Sequence, residues 1–232
     1  MKSVLFVVSA ARHWTLNDGT EHPTGFWAEE LAVPHQLFSE AGWDITIATP
    51  GGVTPVVDEL SLGIMGGLPS KRKEVRAYLN SIASELTNPK SLGSMNEADF
   101  DLVFYPGGHG PMEDLAYDPV SGVLLRRRLA AGRPLALLCH APASIRAAAQ
   151  PGGASPFTGL NMTALSNVEE RFNPFGWKAP WTVEDLVRES GARYSKATLP
   201  FRPHVVVDRR LYTGQNPQSS EALAKRLLQD LN

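Results

Sequence analysis

The chain has 232 residues, a formal net charge of −2 from 22 basic and 24 acidic side chains, and 43% hydrophobic residues. That combination suits one globular α/β unit and excludes disordered, fibrous and membrane-embedded chains; with no long run of like charge it offers no footprint for nucleic acid or anionic lipid, so a small-molecule partner is expected. The single cysteine, Cys139, excludes an intrachain disulfide and a multi-cysteine metal cluster and fits a reducing, cytoplasmic compartment.

In chain order, Lys2 and the apolar run Val4 to Val8 are too short for a secretory or membrane-spanning segment and read as a buried first strand. A helix is expected over 25–41. Further strands are expected at Ile45 to Ala48, Leu102 to Tyr105, Leu135 to Leu138, Met162 to Leu165 and Val205 to Val207. Continuous apolar strands alternating with helices indicate a mainly parallel sheet covered on both faces. The stretch 51–96 exceeds a simple crossover and carries a helix over Lys71 to Glu85, so it is expected to form a small inserted cap on a single domain over 1–232. The irregular region Pro151 to Pro180 holds Phe157, Phe172, Phe175 and Trp177 among Gly and Pro, either walling a pocket or forming a satellite cluster. At the C-terminus, Asn216 suits an N-cap and Pro217 the first helical position of a helix through Leu223, Leu227, Leu228 and Leu231.

Three features carry chemistry. Cys139 ends an apolar strand and precedes His140-Ala141-Pro142-Ala143-Ser144. Such a strand-to-helix elbow pushes a nucleophile out at the carboxyl end of the sheet, and a helix N-terminus behind it would lower the thiol pKa below the free value of about 8.5. The competing reading is a small buried hydrophobe. Second, Tyr105-Pro106-Gly107-Gly108-His109-Gly110 also follows a strand, and its glycines suit backbone donors for an oxyanion, a structural turn being the alternative. Third, at about 100° per residue, Glu30 falls inside the apolar stripe of Trp27, Leu31, Pro34, Phe38 and Ala41, whereas Glu29 falls on the polar side toward solvent or a partner chain. A carboxyl on the buried face should have a raised pKa, which makes a general acid or base, unless it only holds a structural hydrogen bond. His13, His22, His35 and His204 lack ligand spacing for a metal.

Together these stretches resemble the DJ-1/PfpI (ThiJ) superfamily, with its class I glutamine amidotransferase-like fold, and within it the Hsp31-like, glutathione-independent glyoxalase III branch. Supporting segments run from Phe38-Ser39-Glu40-Ala41-Gly42-Trp43 to Leu211-Tyr212-Thr213-Gly214-Gln215-Asn216-Pro217. The resemblance implies a flavodoxin-like three-layer α/β/α sandwich, a homodimer, and an enzyme without metal or cofactor that turns small dicarbonyls such as methylglyoxal into a hydroxy acid. It assigns Cys139 as nucleophile, His140 as its neighbour, Glu30 as proton shuttle and Glu170 as the acid holding the histidine. Gly108, Gly107 and the His140 backbone would be oxyanion or substrate-binding groups, with His109 shaping the pocket. Ala141 stands where many members have Gly, and the aromatic loop Phe172 to Trp181 also departs from the family pattern. A holdase chaperone or a deglycase is the alternative, with amidohydrolase or peptidase activity ranked below them. Amidotransferase chemistry would need a downstream His-x-Glu, but Val205 and Val206 follow His204.

Overall fold

The computed structural model describes residues 1–150 and 152–232; Pro151, the first residue of the aromatic-rich region, lies outside the described residues. The apolar run at the N-terminus forms β1 (Ser3–Val7), whose Val4 to Val7 are fully buried, as expected of a strand covered on both faces. Two short strands, β2 (His13–Thr15) and β3 (Glu21–Pro23), form a separate hairpin. Next come β4 (Asp44–Thr49), β5 (Lys90–Ser91), β6 (Leu102–Tyr105), β7 (Leu135–Leu138), β8 (Asn161–Met162), β9 (Arg193–Tyr194), β10 (Val205–Asp208) and β11 (Leu211–Gly214).

The main sheet has seven strands in the order β10-β11-β7-β6-β1-β4-β5, and only β10 is antiparallel to its neighbour. Val4 pairs with Ile45 on one side and Leu102 on the other, so the apolar runs lie side by side. Helix α1 (Ala28–Glu40) packs with α9 (Ser220–Leu231), while α5 (Pro119–Ala130) packs with α6 (Ile145–Ala148) and β7. The short helix α4 (Gly110–Glu113) continues from the glycine loop after β6, and α8 (Val183–Glu189) precedes β9. The result is the three-layer α/β/α arrangement.

The structure revises several sequence expectations. The helix expected from residue 25 begins at Ala28, because Phe26 is held as extended chain by a bridge to Val57 and donates its amide to Val56 O at 2.9 Å. The helix expected over Lys71 to Glu85 divides into α2 (Pro69–Ser81) and α3 (Ala83–Thr87), with Ile82 leaving helical geometry at ψ 18°. The 51–96 stretch is not only a cap, since it also supplies the edge strand β5. The run Met162 to Leu165 contributes only its first residue to a strand, and β8 pairs with β9 outside the main sheet. The rest of that run is a buried loop in which Thr163 donates to Thr213 Oγ1 and Leu165 to Cys139 O. An apolar run therefore marked burial and not strand geometry. Asn216 does not cap with its side chain, which donates to Glu169 and to Arg202 O; Pro217 starts a 3-10 turn ahead of α9.

Beside the main core lies a smaller cluster of Trp14, Leu16, Met112, Ala116 and Ala143, with Phe175 and Trp181 against it. It brings the β2 hairpin and the aromatic region over the end of β6. Of the aromatics in that region, Phe157 is in the main core and Phe175 stacks on His22, while Phe172 and Trp177 are exposed. Among the described residues no helix is long and apolar enough to cross a membrane.

Candidate active site

The carboxyl ends of β6 and β7 carry the two loops singled out in the sequence. Cys139 directly follows β7 with φ at 59°, a left-handed conformation that a non-glycine residue adopts at a steric cost. Both its peptide groups are tied: the amide donates to Gly214 O at 2.8 Å and the carbonyl accepts from Leu165 N at 3.1 Å. The surroundings thus hold the elbow in its strained form. Beyond His140 the chain makes a four-residue 3-10 turn, Ala141–Ser144, before α6. Ala141 is fully buried there, so the methyl group in place of glycine is accommodated.

His140 lies with Nδ1 3.4 Å from the Cys139 sulfur. Its Nε2 is 2.6 Å from Glu170 Oε2, and His109 Nε2 is 2.8 Å from Glu170 Oε1. All three side chains are buried. Burial alone would keep the Glu170 proton on, but the adjacent His140 and His109 outweigh it and hold the carboxyl well below its usual range. Burial, reinforced by His109, pushes His140 down, so its imidazole is neutral at neutral pH. An ionised Glu170 accepts only, so the His140 proton resides on Nε2 and the Nδ1 lone pair faces the thiol. Burial also works against a charged His109, but the charge and hydrogen bond of Glu170 outweigh that and raise its pKa. The His109 ring stacks on Trp14 with centroids 4.3 Å apart.

Glu30 faces the same thiol. It is fully buried in the first turn of α1, and Oε2 accepts the Gly107 amide at 2.8 Å. Burial pushes its pKa up to about 8, against the opposing pull of the Cys139 thiol and the Gly107 amide, so it is protonated at neutral pH. Among the described residues its Oε1 has no hydrogen-bond partner.

Two sequence expectations fail here. Gly107 is not a free oxyanion donor, because its N–H is spent on Glu30. The Cys139 thiol is not acidified: burial, then the carboxyl of Glu30, raise its pKa well above the free value. The turn behind the sulfur is too short to offset that cost. The amides of Gly108 and His140, in contrast, have no acceptor among the described residues. Gly108 requires its lack of a side chain, with φ at 95° and space for a Cβ closed by Gly25 O at 2.5 Å.

A cavity of about 80 Å³ opens on the sulfur, walled by Trp27, Met65, Leu165 and Phe201 and reached by His109 and His140, without a lysine or arginine in its lining. A small uncharged molecule fits its volume and polarity.

A model of the DJ-1/PfpI family matches residues 23–230. The chain belongs to the DJ-1/PfpI family. It is 28% identical over 98% of its length to the protein/nucleic acid deglycase HchA of Staphylococcus aureus, covering 79% of that protein. Among solved structures it is similar to the 24 kDa rapid encystment protein of Francisella tularensis, with 26% identity, TM-score 0.85 and full coverage of both chains. It also shares the fold of glyoxalase III from Candida albicans, with 22% identity and TM-score 0.82 over 100% of this chain and 98% of that one.

In this DJ-1/PfpI chain Cys139, His140, Glu170, Glu30, Gly107, Gly108 and His109 all meet at one site. The four remaining histidines do not join it as ligands: His35 is held by Tyr78 and Glu85, His204 by Ser195, His13 lies near Glu21 and Glu113, and His22 stacks on Phe175. His109, His140 and Glu170 do bring possible metal-ligating atoms within 4.8 Å of one another. Those atoms bond to each other, however, so a cation would have to displace both His–Glu170 hydrogen bonds. Glu29, expected toward solvent or a partner chain, is instead buried under α2, with Lys71 Nζ 2.5 Å from its carboxyl.

Glu169 is a positioning residue that sequence reasoning passed over. It closes a capping box with Ser166 on α7 (Asn167–Glu170) and accepts from Gln215, Asn216 and the Phe201 amide. It thereby ties the helix bearing Glu170 to the end of β11. The Ser166-x-x-Glu169 spacing was the available signal.

Proposed function

We propose that this chain is a glutathione-independent glyoxalase III-type enzyme acting on small neutral dicarbonyls such as methylglyoxal. The observation that carries this reading is a single thiol flanked on one side by the free nitrogen of a neutral histidine, 3.4 Å away, and on the other by a buried, protonated glutamic acid. His140 Nδ1 takes the thiol proton as sulfur attacks the aldehyde carbon, giving a hemithioacetal. The amides of Gly108 and His140 face the oxygen that gains charge. Glu30, in its ionised form, then removes the proton from that carbon and returns it to the neighbouring carbon. A pKa of about 8 leaves a working fraction of that base at neutral pH. Water hydrolyses the resulting thioester to the hydroxy acid and restores the thiol. Atoms and electrons balance as dicarbonyl plus water to hydroxy acid, with no external thiol or redox partner.

The likeness to a protein named a deglycase supports a second reading on the same residues. A dicarbonyl adduct on an amine would be attacked by Cys139, and the amine would leave. The test of the first reading is incubation of the purified chain with methylglyoxal in the presence of chelator and without glutathione. Lactate should form, and Cys139→Ala should form none. Amine release from glycated amino acid without lactate formation from free methylglyoxal would favour the second.

A further inference from the structure

At the end of the sheet away from Cys139, four arginines line one cleft of about 400 Å³. Arg126 comes from α5, Arg133 from just before β7, and Arg209 and Arg210 from the turn joining β10 to β11. Leu129, Pro156 and Leu160 give the cleft an apolar wall. In a chain of net charge −2, these four have few anionic partners; Arg126 donates to Ala147 O and Ala148 O, and Arg133 to Ala98 O. Among the described residues the salt bridges of these four amount to one loose contact, Arg209 Nε to Asp208 Oδ1 at 3.9 Å. Asp208 is itself engaged, accepting from the Asn161 amide and side chain at 2.7 and 2.9 Å. The neighbouring Arg128 is fully buried and donates only to carbonyls, those of Glu97, Phe100, Asp101 and Pro134. Burial, then the charge of Arg133, push its pKa down to about 10 against the pull of Glu97 and Asp101.

Arg209 provides a second, independent observation. It has φ at 57° in the two-residue turn between the paired Asp208 and Leu211. Glycine or asparagine occupies such a position at little cost, and arginine does not. Its side chain is 84% exposed, so packing does not repay the strain. The other left-handed non-glycine residues among those described, Cys139 and Phe201, both line the cavity at the sulfur.

We propose that this cleft binds a small phosphorylated molecule with a flat apolar body, of the nucleoside monophosphate class. Guanidinium groups present planar donor forks that match phosphate oxygens, and the apolar wall takes the ring. The cleft volume lies within the ~300–1,000 Å³ range of small-molecule sites.

The test is isothermal titration of the full chain at low salt with AMP, inorganic phosphate and adenosine. AMP should saturate with a Kd at or below about 1 mM, phosphate should bind more weakly, and adenosine should not bind. The double variant Arg133→Gln/Arg210→Gln should lose at least about tenfold in AMP affinity, and Arg76→Gln on α2, outside the cleft, should match wild type. If the double variant does not fold, Arg209→Asn decides: it should weaken AMP binding while raising the thermal midpoint, because asparagine tolerates the left-handed turn. The proposal is overturned if wild type shows no saturable AMP binding, if adenosine binds as well as AMP, or if phosphate alone binds as tightly. Equal affinities in wild type and the cleft variants, or an equal loss in Arg76→Gln, would overturn it too.

Discussion

Replacing Glu30 by Gln keeps the acceptor for the Gly107 amide and removes only the titration, which makes its effect on stability calculable. The carboxyl titrates at about 8 in the folded chain against an ordinary value of 4.5. Between those values the folded state holds a proton that the unfolded state has released, so stability falls as pH rises. The contribution is complete below the unfolded pKa and is lost as pH passes through the folded one. At about 1.4 kcal/mol per pH unit, the wild-type chain should lose roughly 3 kcal/mol between pH 5 and 7 from this group alone. The other buried titrating groups, including His109, His140 and Glu170, are common to both proteins and cancel in the difference. Urea unfolding at pH 5, 6, 7 and 8 should therefore give curves of stability against pH that diverge, with Glu30→Gln gaining on wild type up to about pH 8. Parallel curves would refute a buried, protonated Glu30.

Iodoacetamide should modify Cys139 with a pH midpoint above the free thiol's ~8.5, since burial and the Glu30 carboxyl oppose the thiolate; a midpoint below that value would restore a preformed thiolate. Glu170→Gln turns one of the two acceptors of His140 and His109 into a donor, so the Nδ1 lone pair is no longer enforced. Turnover should then fall by ~10²–10⁴ with the protein still folded by circular dichroism, and unchanged turnover would contradict the tautomer assignment. Gly107→Ala brings a Cβ to within 2.7 Å of Glu30 Oε2 and 2.6 Å of Leu138 O. It should cost ~1–3 kcal/mol in urea unfolding, whereas a neutral effect would mean that the loop yields freely.

The central strands were legible because Leu102 to Tyr105 and Leu135 to Leu138 are short apolar runs bounded by turn residues, and both ranges agree with the observed strands. Helix phase located Glu30 inside the apolar face of α1, where it is fully buried. The same phase misread Glu29, because a helical wheel gives direction about one axis and not what else packs there; α2, brought over by the 51–96 stretch, closes that side. The acidity of Cys139 was misjudged for a related reason: His140-Ala141-Pro142 suggests a helix start, but neither burial nor the shortness of the 3-10 turn is visible in the residues. The part of His109 was hidden by distance along the chain, with Glu170 61 residues away and Trp14 in a separate hairpin.

The proposed glyoxalase reading turns on Glu30 moving a proton between adjacent carbons of a substrate held on Cys139. The most direct test is lactate formation from methylglyoxal by Glu30→Gln against wild type at pH 7, without glutathione or metal. Turnover should fall by ~10²–10⁴ while Cys139 remains open to alkylation. Lactate formed by Glu30→Gln at the wild-type rate would contradict it.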